Sequence, residues 1–199
     1  MDYYTINGQG VGRDPDSFMR DKAYDHNFNK LGNSIENIKV FNNFLKQEIC
    51  NKIISTLDSP VISDPQQTEQ WDGRIYQNIN MEKITYGLID KVKNVIEKEY
   101  DLKIKQNTPN ISVVRWSSGI DMGLHVDDLG IENYHMSALL YLNDNYEGGE
   151  VSFPTHDLLI KPKQGDLIIF PGNLHYAHQV NKVTSGDRYT IPIWYSFVN

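Results

Sequence analysis

From Ile111 to Phe197 the chain is a succession of short apolar or alternating runs, each cut off by turn-forming residues. Such alternation marks strands that bury one face, because successive side chains on a pleated strand point to opposite sides. Runs near 111–116, 122–127, 136–142, 149–153, 158–161, 166–170, 176–182 and 188–197 are expected strands. Gly119, Asn143-Asp144-Asn145, Gly148-Gly149, Pro162-Lys163-Gln164-Gly165 and Ser185-Gly186 supply the turns between them. Strands so short and so evenly spaced predict two facing sheets rolled into a jelly roll.

Upstream the period changes. Leu45, Ile49, Ile53, Ile54 and Leu57 recur at helical spacing, and Met81 to Tyr100 repeats the pattern through Ile84, Leu88, Val92, Val95 and Ile96. The expected class is α+β, mainly β: a double-stranded β-helix (jelly roll) with N-terminal helices packed on one sheet. At 199 residues and 39% hydrophobic content, the chain suits one domain with a sizeable core. Residues 1–38, rich in Asn, Asp and Gly and poor in aliphatics, read as a polar N-terminal arm before a single domain over 39–199, whose rolled core begins at about 111. Gly8-x-Gly10-x-Gly12 has no strand before it and no apolar helix after it, so it reads as a linker rather than a phosphate loop. The segment with Pro60, Pro65 and Trp71-Asp72-Gly73 reads as an irregular loop able to reach over a site.

A formal charge of −7 without a Lys/Arg cluster argues against a nucleic-acid partner. No apolar run approaches the roughly 20 residues that cross a bilayer, so no membrane partner is expected. One cysteine, Cys50, excludes an internal disulfide, and the first residues lack a basic-then-apolar leader. A cytoplasmic, intracellular setting follows as the expectation, and with it the Asn110-Ile111-Ser112 sequon loses meaning.

The chemistry-bearing residues sit in the β half. His125 and Asp127 are separated by one residue, so on a strand both project from the same face and can grip one ion. A single triplet of this kind is weak, and its bland reading is a solvated loop. A third ligand is available in Pro171-Gly172-Asn173-Leu174-His175-Tyr176-Ala177-His178, where His175 and His178 would fall on opposite strand faces. His178 is favoured, because it opens an alternating stretch, whereas His175 follows a Pro-Gly turn. Two imidazoles and one carboxylate can occupy one face of a six-coordinate ferrous ion and leave the other positions open. A closed structural zinc site would instead recruit thiolates. His26, His135 and His156 have no partner at useful spacing and read as ordinary histidines.

Arg188 follows a turn at Thr184-Ser185-Gly186-Asp187 and opens the apolar, aromatic run Tyr189 to Phe197. A hairpin there would set His178 and Arg188 on neighbouring strands. A guanidinium at the mouth of a buried strand needs a partner, and its planar fork matches a carboxylate. An acidic cosubstrate is therefore weighed against an ordinary surface salt bridge.

The array His125-x-Asp127, Tyr141-Leu142-Asn143, Gly148-Gly149-Glu150, Phe170-Pro171, His178-x-Val180, Val183-Thr184-Ser185-Gly186-x-Arg188-Tyr189 and Trp194 resembles the prolyl 4-hydroxylase-like branch of the Fe(II)/2-oxoglutarate-dependent dioxygenases. The resemblance runs from Ile111 to Phe197 and more faintly upstream, from Val40-Phe41-Asn42-Asn43-Phe44-Leu45. It implies that His125, Asp127 and His178 hold iron, that Arg188 holds the distal carboxylate of 2-oxoglutarate with help from the Tyr141 hydroxyl, and that Trp194 lines the floor of the cosubstrate pocket. Thr190 is a further candidate for cosubstrate contact. The implied cofactors are Fe(2+), 2-oxoglutarate and O2, with ascorbate as a candidate addition. The implied reaction hydroxylates an unactivated C–H bond and releases succinate and CO2. Asp127 supports hydroxylation, since halogenating relatives have a small residue in place of this carboxylate.

Where many prolyl hydroxylases have Tyr-x-x-His, this chain has Met122-Gly123-Leu124-His125, so the expected partner is a protein, peptide or small-molecule substrate, with peptidyl-proline the family-level choice. Two alternatives compete: a metal-dependent cupin-like isomerase or epimerase, which has no use for the Arg188–Tyr141 pairing, and a catalytically silent binding module, which predicts degraded ligands. Oligomeric state is not legible in the sequence.

Overall fold

Two periodicities build two kinds of element. The structure, a computed structural model, describes residues 5–6, 9–10, 22–57, 68–71, 74–78, 82–107, 111–128 and 133–198. Gly8, Gly12, Pro60, Pro65, Asp72, Gly73 and Met81, read above as linker, loop or helix start, lie outside the described residues.

A short hairpin of β1 (Thr5–Ile6) and β2 (Gln9–Gly10) precedes α1 (Lys22–Leu31), β3 (Lys39–Phe41), α2 (Gln47–Leu57), β4 (Thr68–Trp71), β5 (Arg74–Asn78), α3 (Glu82–Tyr100) and β6 (Ile104–Gln106). The β half follows as β7 (Ser112–Trp116), β8 (Met122–His125), β9 (Met136–Tyr141), β10 (Glu147–Gly148), β11 (Val151–Phe153), β12 (Leu158–Ile160), β13 (Leu167–Pro171), β14 (His178–Val180), β15 (Val183–Ser185) and β16 (Arg188–Phe197). Each expected strand run contains a strand, and both expected helices form.

The strands make a larger sheet in the order β3-β13-β9-β16-β7-β5-β4, with β6 also on β16, and a smaller one in the order β12-β11-β14-β8. All of the pairings are antiparallel. Alternation then sorts the side chains of the larger sheet. Met136, Ala138 and Leu140 of β9 and Ile191, Ile193 and Tyr195 of β16 join one core cluster with Cys50 and Ile53 of α2 and Leu88, Val92 and Ile96 of α3. The opposite parity of the same sheet, Tyr141, Ile168 and Phe170, packs with Val151 and Phe153 of the smaller sheet. Val114 and Trp116 of β7 meet Val180 of β14 in the same way. The space between the two sheets is where the polar candidates also point.

Several elements depart from the sequence reading. His178 and Arg188 do not share a hairpin: both edges of β14 are taken by β11 and β8, both edges of β16 by β9 and β7, and β15 between them pairs with β10. Residues 68–71 and 74–78, in a stretch expected as irregular loop, supply the antiparallel edge pair β4-β5, which joins the larger sheet through β7. Ten residues inside the stretch read as a polar arm form α1, whose Phe28 packs edge-on to Phe197 at 5.0 Å and to His135 at 5.8 Å. Tyr24, Phe28 and Leu31 do recur at helical spacing, but two turns of pattern in an otherwise polar run are a weak signal beside its composition. Among the described residues, no helix is long and apolar enough to cross a membrane.

Leu140 is fully buried where the helices meet the sheet. Leu140→Ala should cost about 2–5 kcal/mol of unfolding free energy, read as a lower urea midpoint at unchanged slope. Leu159→Ala, at an exposed position on β12, should change it by less than about 0.5 kcal/mol. Similar losses from the two variants would contradict the assigned core.

Candidate metal centre

The first candidate ligand is aimed by a fault in the sheet. On β14 His178 and Val180 are two apart, but their partners on β8, His125 and Met122, are three apart, so β8 carries an extra residue. A bulge of this kind shifts the alternation locally and re-aims a side chain. Met122 therefore packs on the inner cluster while His125 also faces inward, and Leu124 is left exposed. Strand pairing ends at His125, not at 127 as expected: the chain bends, and the Asp128 N–H donates to the Gly172 carbonyl (3.0 Å) on the loop after β13. Asp127 thus stands at a bend and still shares a side with His125.

His125 Nε2 lies 3.9 Å from Asp127 Oδ1, and His178 Nε2 lies 3.9 Å from Asp127 Oδ2. One potential ligand atom from each of the three residues falls within 4.8 Å of the others. The tautomers suit a metal. His125 Nδ1 contacts the Gly123 carbonyl at 2.9 Å and His178 Nδ1 contacts the Tyr176 carbonyl at 3.2 Å. A carbonyl can only accept, so each Nδ1 carries the proton and each Nε2 turns a lone pair to the centre. The Ser137 hydroxyl donates to Asp127 Oδ2 at 2.5 Å and leaves its other oxygen toward His125.

His178 is nearly fully buried, with its ring against Phe170 (centroids 4.7 Å) and Phe153 (5.6 Å). Burial, more than any neighbouring charge, holds its pKa below the ordinary value, so the ring is neutral and able to ligate. The rings of His125 and His178 are 4.2 Å apart. Two imidazoles and one carboxylate converging without a thiolate form a donor set that fits iron(II). His175, by contrast, is exposed on a short 3-10 turn capped by Asn173 and takes no part.

Farther along the same interior lies a cation without a counter-ion. Arg188 is almost wholly buried, and its Nη2 donates to the Tyr141 hydroxyl at 3.3 Å. Its Nε and Nη1 are buried with no hydrogen-bond partner among the described residues. The guanidinium lies 4.7 Å from the Trp116 ring and 5.0 Å from the Tyr141 ring. Aromatic faces offset part of the charge, but a desolvated guanidinium with two idle donors is costly unless an anion completes it. Burial pushes the Tyr141 phenol above its ordinary pKa, and while it accepts from Arg188 its proton remains available for an incoming oxygen. These groups fit a carboxylate such as the distal one of 2-oxoglutarate.

The surrounding motif residues now have physical reasons. Asn143 donates to the Asp187 carbonyl (2.7 Å) and accepts from the Tyr189 N–H (2.9 Å), tying the exit of β9 to the entry of β16. Gly148 and Gly149 both have positive φ, and a Cβ on Gly148 would sit 2.1 Å from the Lys182 carbonyl oxygen. On Gly149 it would sit 2.9 Å from Cδ of Arg188, so the bare backbone is what lets the arginine lie flat. Thr190 is buried beside Arg188, and its hydroxyl accepts from Trp116 Nε1 at 3.1 Å. Trp194 is six residues along β16, paired with Ser137 and stacked on Tyr134 (4.9 Å, 17°), with its Nε1 buried and unpartnered. Its place is toward the Asp127 end of the interior rather than beside Arg188.

Ser137 and Trp116 escaped the sequence reading. Ser137 carried one available signal, a lone hydroxyl in the apolar strand Met136–Tyr141 on the parity of Tyr141. Trp116 carried none, since its role depends on β7 lying beside β16.

A sequence model of the 2OG-Fe(II) oxygenase superfamily matches residues 111–196. A PKHD-type hydroxylase of Idiomarina loihiensis is 24% identical over 164 residues, covering 76% of this chain and 74% of that one. Prolyl 3-hydroxylase 2 of Rattus norvegicus is 42% identical over 65 residues, 30% of this chain but only 9% of that protein. The viral collagen prolyl hydroxylase of Paramecium Bursaria Chlorella virus-1, solved as a 2OG complex, superposes with a TM-score of 0.64 at 20% identity, covering 82% of this chain and 97% of that one. A Trichoplax adhaerens prolyl hydroxylase, solved with a hypoxia inducible factor peptide fragment, superposes with a TM-score of 0.65 at 21% identity, covering 88% and 90%. Residues 111–196 are thus similar to the 2OG-Fe(II) oxygenase superfamily, and the chain shares its fold with solved prolyl hydroxylases.

Proposed function

We propose that His125, Asp127 and His178 hold Fe(2+), that Arg188 and Tyr141 hold the distal carboxylate of 2-oxoglutarate, and that the chain hydroxylates a peptidyl-proline. The observation that carries this reading is the buried Arg188 with two idle donors in the same interior as the His–Asp–His cluster. In the proposed architecture the two sheets form the jelly roll, the helices cover the larger sheet, and residues 39–199 act as one catalytic domain. An intracellular setting suits a ferrous site and a single cysteine.

Iron with 2-oxoglutarate and dioxygen supplies, when bound, the oxidant that replaces a C–H hydrogen by hydroxyl while the keto acid becomes succinate and CO2. The chain's own residues supply orientation and dryness. The Nδ1–H bonds to carbonyls keep both imidazoles turned, Ser137 fixes the carboxylate, and Phe153 and Phe170 exclude water from His178. Arg188 and the Tyr141 proton fix the far end of the cosubstrate, while Thr190 holds Trp116 against the guanidinium and Trp194 lines the pocket toward Asp127.

The prolyl hydroxylases and the PKHD-type hydroxylase among the relatives support a proline in a peptide as substrate. Met122, where a tyrosine precedes the motif in many prolyl hydroxylases, packs inward on β8 and alters one wall of the entrance. Succinate release should rise with proline-containing peptides above the rate with free proline or without substrate. A response to free amino acids alone would move the assignment to small molecules.

His178→Ala should lose stoichiometric Fe(2+) binding in anaerobic calorimetry, and Ser137→Ala should weaken it by roughly 10- to 100-fold. Wild-type affinity in His178→Ala would remove that residue from the centre. Adding 2-oxoglutarate to the anaerobic Fe(2+) protein should give a visible charge-transfer band. Arg188→Ala should weaken 2-oxoglutarate binding by about 2–5 kcal/mol, and an unchanged affinity would return Arg188 to a structural role.

A further inference from the structure

The Arg188 pocket has one more wall. Tyr146, between the Tyr141-Leu142-Asn143 and Gly148-Gly149-Glu150 motifs, is buried, yet among the described residues its hydroxyl has no hydrogen-bond partner of good geometry and its ring belongs to none of the three apolar clusters. The position that a Cβ on Gly149 would occupy is 2.9 Å from Cδ of Arg188 and 3.1 Å from Cε2 of Tyr146, so ring and guanidinium stem flank the same point. Arg188 and Tyr141 both act electrostatically on the phenol, and Arg188 also lies close enough to hydrogen-bond weakly to the phenol oxygen, which leaves the phenol proton free to donate. The unpaired Tyr146 hydroxyl thus stands beside a guanidinium whose Nε and Nη1, on opposite flanks, have no hydrogen-bond partner among the described residues. Leaving a hydroxyl buried and unpaired costs stability, and an aromatic needed only for packing could do without it.

We infer that Tyr146 is a third cosubstrate-binding residue, donating its hydroxyl to the distal carboxylate of 2-oxoglutarate beside Arg188 and Tyr141. The inference rests on the cosubstrate assignment of Arg188 and adds a residue to it. Burial pushes the phenol up to about 12, so it remains a proton donor at neutral pH. The site would favour a dicarboxylic keto acid, because the distal carboxylate offers an acceptor to one edge of the guanidinium and to both phenols.

The test compares wild type with Tyr146→Phe, loaded anaerobically with Fe(2+), by calorimetric titration with 2-oxoglutarate and separately with oxalate, which keeps a chelating head but has no distal carboxylate. Tyr146→Phe should weaken 2-oxoglutarate binding roughly tenfold, the loss of one hydrogen bond to a charged group, and leave oxalate binding unchanged. Without ligand, its thermal midpoint should match or exceed that of wild type, since the deleted hydroxyl gives up only an off-geometry contact with Arg188. Unchanged 2-oxoglutarate affinity, an equal loss for oxalate, or a lower midpoint in the unliganded variant would each overturn the assignment. Failure of wild type itself to bind 2-oxoglutarate would overturn the proposed function first, and this inference with it.

Discussion

The register between β9 and β16 is the constraint on which both the core and the site depend. Thr190 lies opposite Tyr141 and Trp194 opposite Ser137, while Ile191 lies opposite Leu140 and Ile193 opposite Ala138. The first two pairs face the interior between the sheets, and the last two enter the cluster shared with α2 and α3. A one-residue slip of either strand would drive Tyr141 and Ser137 into the helices and expose Leu140 and Ala138 to the polar pocket, since pleating gives each residue only two choices of side. The apolar face enforces the register, and the polar face inherits its alignment from it.

Holding polar groups in that interior runs against folding. Arg188, His178 and Thr190 are buried, and two nitrogens of Arg188 have no hydrogen-bond partner among the described residues. The fold tolerates this because aromatic faces lie over the guanidinium and carbonyls take the imidazole protons, while Met136, Ala138, Leu140, Ile191 and Ile193 keep the helix-facing side of the central strands apolar. Such incomplete satisfaction is characteristic of a binding site awaiting an anion rather than of a core built for stability alone.

Irregular backbone does the aiming. The extra residue on β8 turns His125 inward, the bend after it brings Asp127 alongside, and the bare backbone at Gly149 makes room for the arginine stem. Gly172 has a comparable duty: a Cβ there would sit 2.0 Å from the Tyr134 carbonyl oxygen, in the loop whose carbonyl receives the Asp128 N–H. Bulges and tight glycines break local rules at the points where a regular strand would aim a side chain the wrong way.

Alternation and turn residues in the sequence determined the strand runs of the β half and the two long helices, because burial of one face imposes a period that survives without coordinates. Residue chemistry likewise determined which His, Asp and Arg were worth joining. What only the tertiary structure decided was which strands are neighbours and where their rules fail. His178 and Arg188 belong to different sheets, the β8 bulge rather than strict alternation aims His125, and Ser137, Trp116 and Tyr146 acquire meaning only from what lies across from them. Pairing between strands far apart in the chain is set by the competition of whole faces for burial, a property of the assembled sheets that no single segment carries.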